Sequence, residues 1–366
     1  MRRTVMIAAA AGMLLAAVCG FSAARPRVEV AFVLDSTGSM GGLIEGAKQK
    51  IWSIANSIIS RKPTPEVRIG LVTYRDRGDE YVTEKFDLTG DIDTVFKNLQ
   101  SFVADGGGDD PESVNEGLNA AVTGLSWTGD QEVLKIIFLV GDYPPHMDYR
   151  DDVKYPVTCR LAVKKGLIIN TVQCGDVAGT TPVWQEIAKL SEGSYVALAQ
   201  SGNMTAMTTP FDEEIGEVSA AIGATLVPYG DRERQAEARS KVDNAASAPA
   251  SVAADRAAYN LASGGKAIQG TGDLVADAAE GSIDPAKVSP SQLPPEMQKM
   301  SPAERARYIS KQKAARDRLN ATLSELGRKR ADYVSGEQKR IVAAGKGDAF
   351  DTKVTEIIAA EAARAR

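Results

Sequence analysis

The sequence is poor in the residue types that form most catalytic and transition-metal sites. Its 366 residues include one histidine, His146, and three cysteines. Multi-histidine zinc or iron sites, four-cysteine zinc sites and iron–sulfur clusters are therefore excluded. A strong excess of charge is also lacking, because the net charge is only −5. The chain as a whole is therefore no general nucleic-acid binder.

Long hydrophobic runs are lacking except near the N-terminus. Residues 6–18 are apolar and follow two arginines, but a membrane span takes about 20 residues. Small residues precede a cleavage point after Ala24. We therefore predict a secretory signal peptide over residues 1–24 and a periplasmic or secreted protein. The alternatives are an uncleaved anchor and a lipoprotein leader that ends at Cys19.

Between residues 25 and 230, apolar runs alternate with helical patterns. The runs that predict strands are residues 28–34, 67–74, 83–88, 133–140, 167–174 and 194–198. The segments between them have the three-to-four apolar spacing of amphipathic helices. Strands joined by helices imply right-handed crossovers and a sheet covered on both faces. We therefore predict an α/β fold with a doubly wound, mostly parallel, six-stranded Rossmann-like sheet and an edge strand at residues 83–88.

The composition changes after residue 230. Residues 231–300 are rich in alanine, serine and glycine and have few large apolar side chains, so we predict a linker or loosely packed extension. Residues 301–366 are basic, with 15 Lys/Arg against 9 Asp/Glu, and are predicted to be a helical C-terminal segment. A long helix should begin after Ser301, because Ser301 and Glu304 form a capping-box pattern.

This predicted helix has a narrow apolar stripe and a basic surface. The stripe consists of Leu319, Leu323, Leu326 and Tyr333. We expect it to pack against the chain's own domain, with a coiled coil to a partner as the alternative. We expect the basic residues to form a solvated helix face, with contact to a membrane surface or an anionic polymer as the alternative.

Three loops concentrate side chains that bear oxygen. Residues 35–39 (DSTGS) follow the first strand, residues 106–112 (GGGDDPE) precede a helix, and residues 141–146 (GDYPPH) follow the most hydrophobic strand. Ligands of open α/β sheets bind at the carboxyl ends of the strands. The loops can bring carboxylates and hydroxyls to that edge, with no thiolate and at most one imidazole. Such donors suit Mg²⁺, Ca²⁺ or Mn²⁺.

The first loop resembles the metal-ion-dependent adhesion site of von Willebrand factor A domains. Asp35, Thr37 and Ser39 match the D-x-[ST]-x-S motif of that family. Asp142, at the end of a later strand, matches its second aspartate. The resemblance covers about residues 28–228. It implies a divalent cation, preferably Mg²⁺, that is bound directly by the two hydroxyls and through water by the two aspartates.

The second loop departs from the usual family pattern, which has a threonine there. Counting back five residues from Gly117 leads to Glu112, whereas Asp109 follows the glycines as that threonine often does. Either carboxylate is a candidate metal ligand. A carboxylate in place of a hydroxyl would make the site net negative. We therefore expect tight cation binding and a partner that supplies a neutral oxygen or a basic group. The GGGDxPE and GDxPPH loops resemble an exported, bacterial-type subgroup.

The resemblance implies a protein-binding module whose cation engages a partner protein at this edge of the sheet. The sequence does not identify the partner. A metal-assisted hydrolase is one alternative, but the sequence has a single histidine, no nucleophile elbow and no phosphate-binding loop. A subunit of an envelope assembly machine is another. We therefore predict that the protein is not an enzyme and that His146 is a structural loop residue.

Two cysteines would remain in the mature chain. Cys159 is near the start of a predicted helix, and Cys174 ends the strand that follows. Both ends are expected at the edge of the sheet that holds the metal. In an exported protein this arrangement predicts a Cys159–Cys174 disulfide.

Overall fold

The structure of the protein is a computed structural model that describes residues 26–108, 110–204, 207–343 and 349–364. The predicted signal peptide, Cys19 and Asp109 lie outside the described residues. In the ranges that are described, none of the helices combines the length and the apolar character needed to cross a membrane.

A six-stranded sheet forms the centre of the protein, as predicted. The strands are β1 (Arg27–Asp35), β2 (Glu66–Tyr74), β3 (Thr83–Thr89), β4 (Leu134–Gly141), β5 (Leu167–Cys174) and β6 (Tyr195–Leu198). Their order is β3-β2-β1-β4-β5-β6. Strand β3 pairs antiparallel with β2 at the edge, and the other neighbouring strands pair in parallel. The predicted polar edge strand is therefore confirmed.

Helices cover both faces of the sheet. Helices α1 (Gly41–Ile59) and α2 (Ile92–Gln100) pack on one face, and α3 (Val114–Gly124), α4 (Tyr155–Lys164) and α5 (Thr180–Leu190) pack on the other. Strand β1 is apolar on both sides because it is buried between these layers. Its Phe32 lies in the first core, whereas Val33 lies in the second. The doubly wound arrangement is confirmed.

Helices continue through the rest of the described chain. They are α6 (Asp212–Gly223), α7 (Arg232–Ser247), α8 (Ala250–Ala262), α9 (Leu274–Ala279), α10 (Pro302–Ala343) and α11 (Phe350–Arg364). The prediction of a loosely packed extension over residues 231–300 is wrong. Val252 and Tyr259 of α8 are buried in the core beside α1. The alanines of α8 leave room for the neighbouring helices to approach closely, so few large apolar residues are needed.

Buried ion pairs also hold this region, one to the sheet domain and one to α10. Arg256 of α8 donates to both carboxylate oxygens of Asp93 on α2, at 2.6 and 3.0 Å. Arg316 of α10 donates to Asp273, at the start of α9, at 2.5 Å. All four side chains are almost completely buried. Paired arginine–carboxylate bonds are strong and geometrically specific, and a count of apolar residues does not reveal them.

Helix α10 begins and packs as predicted. The backbone N–H of Ser301 donates to Glu304 Oε2 at 2.8 Å, and the backbone N–H of Glu304 donates to Ser301 Oγ at 3.4 Å. These two bonds form the predicted capping box. Leu323 and Leu326 are buried against residues of α6 and α8. The three leucines of the apolar stripe therefore pack within the chain, as expected, whereas Tyr333 is exposed.

The predicted disulfide is wrong, because both cysteines are free and buried. Cys159 of α4 lies in the core on the α3–α5 side of the sheet, whereas Cys174 of β5 lies in the core on the α1 side. Neighbouring side chains of a strand point to opposite faces, and Cys174 points away from α4. The sheet therefore separates the two thiols. Burial raises the pKa of Cys159 to about 12, so its thiol is protonated at neutral pH.

The last described helix, α11, completes the core beside α1. The Phe350 ring lies 6.2 Å from that of Phe32 on the central strand β1. Val354, Ile357 and Ile358 are also buried in this core. The Phe350 backbone N–H donates to the carbonyl of Gly202 at 3.0 Å. The C-terminal segment is therefore part of the packing of the sheet.

Replacing Phe350 with alanine should destabilise the protein strongly. Removing a fully buried ring costs about 3–5 kcal/mol in the free energy of unfolding. Urea unfolding of the variant measures this loss. Ile341→Ala in α10 is the control, because Ile341 is 40% exposed and its loss should cost less than about 0.5 kcal/mol. Equal losses in the two variants would contradict the packing of α11.

Candidate functional site

The three predicted loops meet at the carboxyl ends of the central strands. Asp35 is the last residue of β1, and Asp142 directly follows β4. The N–H of Gly38 donates to the carbonyl of Gly106 at 3.2 Å, which joins the first loop to the second. The second loop joins the third through the N–H of Glu112, which donates to the carbonyl of Pro144 at 3.0 Å. Backbone bonds therefore fix the relative positions of the loops.

The first loop arranges two hydroxyls around one carboxylate. Asp35 Oδ1 accepts hydrogen bonds from the N–H and the hydroxyl of Thr37, at 2.9 and 2.6 Å. The hydroxyl oxygen of Ser39 lies 3.3 Å from that of Thr37. Because the Thr37 proton points to Asp35, lone pairs of its oxygen remain available to a cation. Oxygen ligands of an octahedral Mg²⁺ lie about 3 Å apart, since each is about 2.1 Å from the metal.

Three carboxylates at this edge each keep one buried oxygen without a hydrogen-bond partner. These atoms are Asp35 Oδ2, Glu112 Oε2 and Asp142 Oδ1. All three residues are at most 2% exposed. Burial, followed by the charge of Asp142, raises the pKa of Asp35. Burial, followed by the charge of Asp35, raises the pKa of Glu112 to about 9. The carboxylates at this edge of the sheet therefore lack a positive charge that would stabilise their ionised forms.

The glycines of the second loop allow it to approach the first. Gly107 has a φ of +76°, and a Cβ built there would lie 2.9 Å from Thr37 Cβ and 3.1 Å from Glu112 Oε1. A side chain at position 107 would therefore have a strained backbone and would collide with Thr37 and Glu112. The N–H of Gly107 donates to Asp79 Oδ2 at 3.1 Å. The structure thus brings Glu112 to the first loop.

Gln200 is a site residue that the sequence analysis missed. Its amide donates to Asp142 Oδ2 at 2.7 Å and to the Ser39 carbonyl at 3.3 Å. Gln200 lies two residues after β6, at the same edge as the other loops. An oxygen-rich motif does not surround it in the sequence, so only its position after a strand could have indicated a role.

His146 belongs to a neighbouring polar group, consistent with a structural position. Its Nδ1 is 2.8 Å from Asp148 Oδ1, and its ring stacks on Tyr149 with centroids 4.1 Å apart. Its Nε2 is 3.4 Å from Asp76 Oδ2. The backbone N–H of His146 donates to the Glu112 carbonyl at 3.0 Å. The residue therefore helps to hold the second and third loops together.

The residues present fit a hard divalent cation. Two adjacent hydroxyls and three unpartnered carboxylate oxygens supply the donors that such ions prefer. Within the described residues, no group of three or more His, Cys, Asp and Glu side chains is by itself arranged to hold a metal ion. The donor set that fits the cation combines the carboxylates with the hydroxyls of Thr37 and Ser39.

The fold and this loop arrangement define an α/β domain with an oxygen-rich site at its strand ends. Residues 29–206 match the family model of the von Willebrand factor A domain. These residues, just under half of the chain, therefore resemble a von Willebrand factor A domain, a domain that commonly binds protein partners.

Similarity to individual proteins is distant. An ariadne-like RING finger protein of Acanthamoeba polyphaga mimivirus is 28% identical over 122 residues, which are 32% of this chain and 11% of the viral protein. This chain therefore spans about a tenth of that relative.

Among solved structures, proximal thread matrix protein 1 from the mussel byssus is 17% identical, with a TM-score of 0.36 over 48% of this chain and 42% of the mussel protein. Another structure of the mussel protein has a zinc-occupied adhesion motif, with 18% identity, a TM-score of 0.36, and coverage of 48% and 42%. The SpRpn10 von Willebrand A domain is 16% identical, with a TM-score of 0.36 and coverage of 48% of this chain and 89% of that domain.

The raised pKa of Glu112 predicts a pH-dependent stability for the metal-free protein. Above the ordinary pKa of 4.5, folded Glu112 keeps a proton that the unfolded chain has lost. Rising pH therefore favours unfolding until the folded pKa of about 9 is reached. In EDTA, the free energy of unfolding of wild type should therefore fall relative to that of Glu112→Gln between pH 5 and pH 9. The expected relative loss is at least about 1.4 kcal/mol, as measured by urea unfolding. A constant difference would contradict the assignment.

Proposed function

We propose that the protein is an exported, metal-dependent protein-binding module. The observation that supports this proposal is the convergence of three buried, unpartnered carboxylate oxygens with two adjacent hydroxyls at the strand ends. Export rests on the predicted signal peptide at residues 1–24. We place the protein in the periplasm or outside the cell.

The cation in this proposal is Mg²⁺, with Ca²⁺ and Mn²⁺ as alternatives. Its direct ligands would be Thr37, Ser39 and Glu112. It would be bound through water by Asp35 and Asp142. Asp35 already orients the Thr37 hydroxyl by accepting its proton. Gln200 already holds Asp142. When bound, the cation supplies a Lewis-acidic position to which an oxygen of a partner can bind.

Charge decides which partner this site favours. Asp35, Glu112 and Asp142 together have a charge of −3 when ionised, so a divalent cation leaves the site at about −1. An incoming carboxylate would be repelled, whereas a neutral oxygen would not. We therefore propose that the partner protein contributes a carbonyl, hydroxyl or amide oxygen, or a basic side chain that reaches the acidic rim.

A binding role is proposed in preference to a catalytic one. His146 is stacked on Tyr149 and hydrogen-bonded to Asp148, so it is engaged away from the hydroxyls. The group around Asp35 then consists of carboxylates, hydroxyls and an amide. These groups suit the positioning of a cation better than the activation of a nucleophile.

Substitution of the metal ligands should lower cation affinity. Asp35→Ala should abolish Mg²⁺ binding, and Glu112→Thr should weaken it about tenfold because one ligand charge is lost. Isothermal calorimetry on EDTA-stripped protein measures both. Glu80→Thr is the control of equal charge change, since the Glu80 side chain is 82% exposed. Asp109→Thr decides between the two candidate carboxylates. Unchanged affinity in Asp35→Ala would refute the metal proposal.

The same Glu112→Thr substitution should change the preference for partners. Removing one negative charge leaves the occupied site near neutral, so it should bind free carboxylates more strongly. Acetate titration with saturating Mg²⁺, followed by calorimetry, should show tighter binding to the variant than to wild type. Equal or weaker acetate binding by Glu112→Thr would show that site charge does not select the partner.

A further inference from the structure

A groove lies between helices α1, α8 and α10, away from the candidate metal site. Its cavity volume is about 480 Å³, within the range of about 300–1,000 Å³ that is usual for small-molecule pockets. Residues 53–60 of α1 contribute to its lining. Because helices rise 1.5 Å per residue, these positions lie roughly 20 Å along α1 from the loop that contains Ser39.

Two rows of small residues keep this groove open. Positions 254, 258 and 262 of α8 are alanines, and positions 327, 331 and 335 of α10 are glycine, alanine and serine. Both rows have the four-residue spacing of a single helix face. The floor between them is formed by Ile59, Ile215 and Leu323, whose side chains are buried. The result is an apolar channel between two helices.

The two arginines that line the groove differ in whether they pair with described carboxylates. Arg330 lines the groove but forms ion pairs with Asp212 and Asp255, each at 2.7 Å. Arg328 also lines it and is exposed, and within the described part of the chain it forms no ion pair. The hydroxyl of Ser324 lies one helical turn before Arg328 on the same edge. This rim can therefore receive one anionic group with charge-assisted hydrogen bonds.

We propose that the groove binds a single-chain amphiphile with an anionic head, of the long-chain fatty acid class. The hydrocarbon chain would lie over Ile59, Ile215 and Leu323, where removal of its methylenes from water is favourable. The carboxylate would bind Arg328. This site is separate from the candidate metal site and does not depend on its function.

Oleate binding to delipidated full-length protein tests the proposal. We expect saturable one-to-one binding below the micelle concentration, detected by native mass spectrometry and by displacement of a fluorescent fatty acid. Binding should be the same in EDTA and in Mg²⁺. Ala258→Trp and Ala331→Trp, from opposite walls, should each abolish it, whereas Ala321→Trp on the exposed side of α10 should not. Thermal unfolding of each variant verifies that it is folded.

The contribution of the head group is tested by a pair of neighbours. Arg328→Glu should weaken oleate binding at least about tenfold, since a charge-assisted bond is replaced by repulsion. The control is Lys329→Glu, which makes the same change of charge one residue away. Because Lys329 does not line the groove, this variant should bind oleate with an affinity within about twofold of wild type. Dodecylamine should bind more weakly than oleate.

Three results would overturn the proposal. The first is the absence of saturable oleate binding to wild type. The second is equal affinity in wild type and in folded Ala258→Trp and Ala331→Trp variants. The third is a dimer, detected by sedimentation, that Ala331→Trp disrupts while oleate has no effect on it. That outcome would assign the groove to a second copy of the chain.

Discussion

Electrostatic repulsion among buried carboxylates is the constraint around which the site edge of this protein is organised. Asp35, Glu112 and Asp142 are nearly inaccessible to water, yet each keeps an oxygen that no donor reaches. In a metal-free protein, protons must neutralise part of this charge, as the raised pKa of Glu112 indicates. The glycines, the loop-to-loop backbone bonds and the Gln200 amide all hold these groups together against that repulsion. Their arrangement is costly unless a cation binds there.

The sheet was predictable because a parallel strand buried on both faces is apolar along most of its length. The positions of Asp35 and Asp142 followed, since each directly continues such a strand. The position of Gln200 was not predictable in this way, because a single amide after a short strand forms no pattern. The disulfide prediction failed for a different reason: which face of the sheet a helix covers depends on the crossover, and side-chain alternation in β5 points Cys174 away from α4.

The C-terminal half illustrates a limit of composition as a guide to packing. Residues 231–300 have few large apolar side chains, which suggested loose structure. Alanine, however, buries little area but allows close helix contacts, and pairs such as Arg256–Asp93 provide directional bonds inside them. A charged residue contributes to a core in this way only when its partner is placed opposite it. That placement is a property of the tertiary structure.

The position of α11 also determines the order in which the molecule can fold. Phe32 and Phe350 are more than 300 residues apart in the chain but lie in one core. During synthesis, the part of this core that α11 fills beside Phe32 stays uncovered until residues 350–364 have left the ribosome. Contacts of such long sequence separation form slowly. The nascent chain therefore keeps Phe32 and its neighbours only partly covered until the last described helix has docked.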